Sequence, residues 1–182
     1  MDRAISYPNP PLAGTRFVMR PFREDDFGAA RGMEQDAATA RWVPELPADD
    51  GAGVVAFYEE CRRDGSLLHL AIADRPTDAY LGEAMLAVGE HRVGELGCGL
   101  MPEARGRGIA TEALVALTDW ALSERGLGLG RVQVFVAPEN VAALMLARRT
   151  GFQEEGVLRS YWEHGDGRLD VVVLARVAGD ER

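Results

Sequence analysis

The stretch Leu100-Met101-Pro102-Glu103-Ala104-Arg105-Gly106-Arg107-Gly108-Ile109-Ala110-Thr111 constrains this chain more than any other. It joins an extended segment, 92–100, to an amphipathic one, 109–125, in which Ala110, Leu114, Leu117 and Ala121 recur at the spacing of a core-facing helical stripe. Two glycines and two arginines at a strand-to-helix junction make an anion site. The first N–H groups of a helix lack partners within it, and the helix dipole adds partial positive charge there. Glycine lets an anion approach the backbone with no Cβ in the way. Each N–H bond to a charged oxygen contributes about 1.5–3 kcal/mol, so three or four outweigh a dipole contribution of about 0.3–1 kcal/mol. The loop is expected to hold a pyrophosphate.

Two familiar phosphate patterns fail. No Gly-Lys-Ser/Thr is present, which excludes a P-loop, and Thr111 stands where a dinucleotide fingerprint needs its third glycine. A third pattern fits. Arg105-Gly106-Arg107-Gly108-Ile109-Ala110 resembles the Gln/Arg-x-x-Gly-x-Gly/Ala signature of the GNAT superfamily of N-acetyltransferases. A β-branched strand, 131–136, then leads into Pro138-Glu139-Asn140, and a helix over 141–150 ends at Thr150-Gly151-Phe152. Asn140 followed by Gly151-Phe152 is similar to that family's second cofactor element. An ordinary tight turn and an unrelated helix cap are the competing reading of the two motifs.

The resemblance extends over nearly the whole chain. Phe17-Val18-Met19-Arg20-Pro21-Phe22 with Glu24-Asp25-Asp26 is similar to the opening of the ribosomal-protein N-terminal acetyltransferase (RimJ/RimL-type) branch. Glu95-Leu96-Gly97 and Asp170-Val171 are similar to that branch as well. The resemblance implies acetyl-CoA as co-substrate and no metal. It places Gly99, Leu100 and Met101 on the way into the cofactor loop and Arg105, Gly106, Arg107 and Gly108 within it. Ile109, Ala110 and Thr111 would close it at the helix start, with Asn140 on the pantetheine arm.

The rest of the chain reads as one α/β unit over residues 1–182. Residues 1–14 carry Pro8, Pro10, Pro11 and Gly14 and predict an irregular lead-in. Phe17–Phe22 predicts a strand, 25–35 a helix with acids in its first turn, and 43–49 a loop. A second helix over 53–63 stops at Asp64-Gly65, and strands follow over 67–73, 79–88 and 92–100. After the helix at 109–125 and the connector Gly126–Gly130 come a strand, a helix and two closing strands, the last over 169–177. The order is β-α-α-β-β-β-α-β-α-β-β, a mixed sheet with helices on both faces in three α-β-α layers. Gly94, Gly97 and Gly99 weaken the strand that feeds the loop. They predict either a bulge or tight bend alone, or a bulged strand that splays from 131–136 to admit a pantetheine arm.

A chain of 182 residues, 47% of them apolar, can bury one sizeable core. A formal net charge of −9 argues against a nucleic-acid surface and fits solubility or a basic partner. Cys61 and Cys98 are too few and too far apart for a disulfide framework or zinc site, and read as buried small hydrophobes. No apolar leader or membrane-length run is present, so no membrane is expected and the protein reads as cytoplasmic.

Acetyl transfer to an amine needs positioning, loss of the amine proton and protonation of the departing sulfur. At pH 7 an α-amine is roughly a tenth neutral, and a lysine only about 0.04%. A low-pKa amine therefore demands less of a base. Glu95, on the strand expected to carry the thioester, is the candidate base, against its reading as an ordinary exposed glutamate. Tyr161, Trp162, Glu163 and His164 precede a turn at Gly165-Asp166-Gly167 and could line an acceptor pocket or simply pack. His69 and His91 read as structural. Many family members place a serine or a tyrosine after the motif asparagine to protonate the thiolate; here those positions are Ala143 and Ala147. Tyr161 is the nearest substitute. The acceptor would be a protein N-terminus or a small-molecule amine, attacked directly in a ternary complex, with a homodimer as the assembly to test for. The alternatives are a non-catalytic acyl-CoA-binding sensor or partner protein and an aminoglycoside- or polyamine-type acetyltransferase.

Overall fold

A computed structural model describes residues 4–42, 45–164 and 167–180, and among them the β-branched and apolar runs build a single sheet. Its strands are β1 (Phe17–Arg20), β2 (Leu67–Asp74), β3 (Tyr80–Val88), β4 (Val93–Leu100), β5 (Arg131–Val136), β6 (Gln153–His164) and β7 (Gly167–Val177). They lie in the order β1-β2-β3-β4-β5-β7-β6. Every neighbouring pair is antiparallel except β4 and β5. That parallel pair is joined through α4 (Ile109–Leu122), as a crossover connection requires. The helices are α1 (Phe27–Glu34), α2 (Ala37–Ala40), α3 (Gly51–Asp64), α4 (Ile109–Leu122) and α5 (Val141–Arg149).

Alternation in the strands sorts side chains into two layers. Val132, Val134 and Val136 of β5 join Leu70 and Leu86 in a core beneath α4 and α5, where Ile109, Leu117 and Leu144 meet them. Burying Leu117 completely is worth about 1.5–3 kcal/mol. A smaller core of Phe22, Ala30, Val54, Ala71 and Tyr80 lies on the other face beneath α1 and α3. The expected mixed sheet with helices on both faces is what the chain forms.

Boundaries differ in instructive places. The helix expected at 25–35 begins as a 3-10 turn, Glu24–Asp26, before α1, and the four-residue α2 follows unanticipated. Asp26 does not cap α1 from outside; its carboxylate receives both terminal nitrogens of Arg20, at 2.7 and 2.9 Å, in a buried bidentate pair. Asp78 accepts from Arg20 Nε at 2.8 Å, and these carboxylates push the Arg20 pKa further up. Arg20 and Asp26 belong to the N-terminal stretch singled out in the sequence, and their pair sets where α1 starts. Helix α4 ends at Leu122 instead of 125. The lead-in forms no helix or strand over 4–12, yet it is anchored: Ile5 is buried, and Thr15 N–H donates to Glu112 on α4 at 2.6 Å. Residues 43 and 44 of the expected loop, and 165 and 166 of the expected turn, lie outside the described residues.

Candidate active site

The sheet opens between β4 and β5. The two strands pair only at Val93–Arg131, Gly94–Val132 and Glu95–Gln133, and beyond Glu95 they diverge. The expected splay is present, but it is not a bulge in β4: pairing with β3 runs unbroken from Val88–Gly94 to Gly82–Leu100. The glycines serve close approach instead. A Cβ on Gly94 would lie 2.9 Å from both Leu86 and Leu129. A cleft fills the opening, walled by Gly97 and Cys98 of β4, Phe135 of β5 and Leu114 of α4. Backbone groups of diverging strands are the natural partners for an amide-bearing chain laid between them.

Beyond the diverging end of β4, the chain runs through a loop to the start of α4. Gly106 and Gly108 take positive φ, +70° and +81°, and no protein atom lies within 4 Å of where either Cβ would be. Gly108 caps the helix without a side-chain bond. The first intrahelical acceptor is the Gly108 carbonyl, which receives Glu112 N–H. The N–H groups of Ile109, Ala110 and Thr111 therefore stand free of helix partners, as the anion-site reading requires. Arg107 is exposed beside them and forms no ion pair among the described residues. Arg105 is different. Its guanidinium donates to Asp36 at 2.6 Å, to Thr39 Oγ1 and to the Leu100 carbonyl. Arg105 thus ties the loop to the cap of α2, where Asp36 also accepts Thr39 N–H. The Arg105 guanidinium, with Thr39, holds the Asp36 carboxyl below its usual range.

Asn140 lines the cleft and also caps α5, accepting Ala143 N–H through Oδ1 at 3.1 Å. Its amide nitrogen, a donor pair, forms no hydrogen bond among the described residues. The two readings of Asn140 are compatible, because cap and cleft use different atoms. Asn140→Ser keeps a good cap and shortens the donor. CoA affinity should fall several-fold, up to about tenfold, for one neutral hydrogen bond, with the melting temperature little changed. Unaltered CoA affinity by calorimetry would make Asn140 a cap alone.

Ala143 and Ala147 also line the cleft. Trp162, read in the sequence as an acceptor-pocket candidate, lines it as well. Cys98 and Trp42 line it too, and sequence reasoning missed them as site residues; strand alternation from Leu96 could have placed Cys98. The Cys98 thiol is pushed up to about 12 by burial and by the Glu83 charge. A thiol that weakly acidic does not efficiently protonate a departing thiolate whose own pKa is about 8.5. Tyr161 does not line the cleft. Its ring stacks on Phe135 at 5.3 Å between centroids, and it is 46% exposed.

The Glu95 backbone sits where the strands part, at the last paired position of β4 and β5, and Glu95 is not among the residues that line the cleft. It is exposed, and its side chain forms no hydrogen bond among the described residues. Partial burial of the carboxyl raises its pKa above the ordinary value, which brings a carboxylate closer to useful basicity near neutral pH. His69, read as structural, has a partner that the sequence did not signal: its Nε2 lies 3.1 Å from Glu83 Oε2 on the adjacent strand, with both side chains buried. His91 lies in an exposed turn with φ +57°. Among the described residues no His/Cys/Asp/Glu group could hold a metal ion, and no helix is long and apolar enough to cross a membrane.

Comparison with known proteins places this architecture. The family described as Acetyltransferase (GNAT) domain matches residues 16–153. The chain is 32% identical over 159 residues to the uncharacterized N-acetyltransferase p20 of Bacillus licheniformis, covering 85% of this chain and 88% of that one. It is 26% identical over 140 residues to spermidine N(1)-acetyltransferase of Escherichia coli, covering 77% and 74% of the two chains. Mycobacterium smegmatis RimJ, solved with CoA-disulfide, superposes with a TM-score of 0.76 at 23% identity, covering 89% of this chain and 82% of that one.

Proposed function

Since the chain belongs to the GNAT acetyltransferase family, we propose that it moves the acetyl group of acetyl-CoA to a primary amine by direct attack in a ternary complex, with residues 1–182 acting as one catalytic unit. The observation that carries this reading is the opening between β4 and β5, with the free N–H groups of α4 following on the loop that leaves β4. Arg107, Gly106, Gly108 and the amides of Ile109, Ala110 and Thr111 would hold the pyrophosphate, Asn140 the pantetheine amides, and Arg105 the loop itself.

Glu95 accepts the proton that the amine loses, directly or through water. The amine nitrogen then bonds to the thioester carbonyl carbon, the carbon–sulfur bond breaks, and CoA leaves as a thiolate. With alanine at 143 and 147, Cys98 a weak acid and Tyr161 outside the cleft lining, the thiolate takes its proton from water. Restoring a hydroxyl by Ala143→Ser should leave kcat similar or modestly faster. The acceptor is a protein N-terminus or a small amine; the negative net charge of −9 favours a cationic one.

Initial rates against both substrates test the direct attack. Intersecting reciprocal plots and an unmodified protein mass are expected. Parallel plots with an acetylated protein would replace it by a covalent route. The non-catalytic acyl-CoA-binding reading draws on Ala143 and Ala147 alone, while the carboxylate of Glu95, without a hydrogen-bond partner among the described residues and on the strand where β4 and β5 part, favours catalysis.

A further inference from the structure

We infer that a second cavity, between α1, α3 and the β2–β3 pair, is an ammonium subsite that takes the non-reacting amino group of a short diamine while its other amine is acetylated in the cleft. This deepens the transferase reading and rests on it. Met33, Tyr58, Leu67, Glu83 and Met85 line this cavity, with Phe57 at its side.

Glu83 is the reason for the assignment. It is 3% exposed. Its Oε2 lies 3.1 Å from His69 Nε2 and accepts Tyr80 O–H, also at 3.1 Å. Both contacts fall on one oxygen, and Oε1 accepts no hydrogen bond among the described residues. The His69 ring is held by Tyr58, stacked at 3.7 Å between centroids and 6° between planes. Burial works to raise the Glu83 pKa, but the bonds from His69 and Tyr80 hold it below the ordinary value, in the charged form. A carboxylate withdrawn from water is costly to keep charged, and a ligand cation in the cavity that Glu83 lines would give it a further partner. An alkylammonium brings three donors, a stem suited to Met33, Leu67 and Met85, and a charge suited to the faces of Phe57 and Tyr58. Glu34 lines the same cavity, but its carboxylate is engaged by Arg31, at 3.0 Å, and by Leu46 N–H.

The register fixes the length of the ligand. Glu83 is opposite Gly99 and Met85 is opposite Gly97. Glu83 is therefore the diagonal neighbour of Gly97, about 7–8 Å away across the pair. Gly97 lines the acetyl-transfer cleft, and a Cβ there would come within 3.1 Å of Met85 Cγ. A four-carbon chain matches that separation; the Met85 side chain packs against Gly97 between the two sites, and its flexible thioether has to turn aside to let the chain through. The reacting amine gains the acetyl carbon and loses a proton to Glu95, CoA leaves as the thiolate, and the ammonium at Glu83 exchanges nothing.

Calorimetric titration of the CoA-loaded protein with a four-carbon diamine and with butylamine tests the subsite. The diamine is expected to bind at least about tenfold more tightly. Glu83→Gln should remove that advantage without changing the affinity for butylamine or CoA. Leu67→Phe fills the cavity without touching the carboxylate and should do the same; if Glu83→Gln does not fold, it decides alone. Equal binding of the two amines to the native protein, or a diamine preference that survives the folded variants, overturns the proposal. A preserved preference in a protein that acetylates neither amine contradicts the transferase reading and leaves the subsite standing.

Discussion

A Gly108→Val protein is expected to lose at least about a hundredfold in CoA affinity while keeping its fold. A hundredfold is about 2.7 kcal/mol, within the worth of one or two N–H bonds to a charged oxygen. Gly108 has φ +81°, and no protein atom lies within 4 Å of an added Cβ. The new side chain meets the space the pyrophosphate needs, not the protein. Backbone strain at a β-branched residue there costs about 1–3 kcal/mol, less than the roughly 5–15 kcal/mol that holds a domain folded. Gly108→Asn separates the two effects, because asparagine tolerates the left-handed conformation. It should retain the native melting temperature and still lose CoA. Native-like calorimetry in both folded variants would remove the loop from the site.

Glu95→Gln is expected to lower kcat/KM by about 10²–10⁴-fold, the usual range for general-base help, with CoA affinity little changed. The carboxylate acts as a base only when deprotonated. Burial raises its pKa, so activity should rise with pH through a limb above the ordinary glutamate value of about 4.3. In Glu95→Gln that limb should vanish, leaving the limb of the amine. The linked stability effect runs oppositely. A carboxyl whose folded pKa is raised contributes stability below its unfolded pKa and loses it as pH rises through the folded value. An unimpaired variant would move the base elsewhere.

The fold was legible because its signals are periodic. Val132, Val134 and Val136 alternate in sequence and in burial, and Leu114, Leu117 and Ala121 recur at helical spacing on a buried stripe. The glycine loop was legible for a local reason, since positive φ at Gly106 and Gly108 is a property that glycine announces. What the sequence concealed depends on register. No periodic signal pairs Arg105 with Asp36, Asp26 with Arg20, or Glu83 with His69; the first joins segments far apart in the chain, the second depends on a turn and the third on the register of adjacent strands. The β4 glycines predicted either a bulge or a splay. The structure keeps β4 regular against β3 and opens it only toward β5, a distinction that composition does not encode. Tyr161 and Trp162 are neighbours, but strand alternation sends Tyr161 onto Phe135 and leaves Trp162 in the cleft.

The most direct test of the account is to incubate the purified protein with acetyl-CoA and a panel of primary amines, including short diamines and peptides with free N-termini. Release of CoA thiol and the mass of each amine are followed together. The account predicts thiol release matched one for one by an amine that gains a single acetyl group, and a protein whose own mass does not change. Tight binding of acetyl-CoA with no acetylated amine anywhere in the panel would contradict it, and would make the cleft a sensor of acyl-CoA instead of a site of transfer.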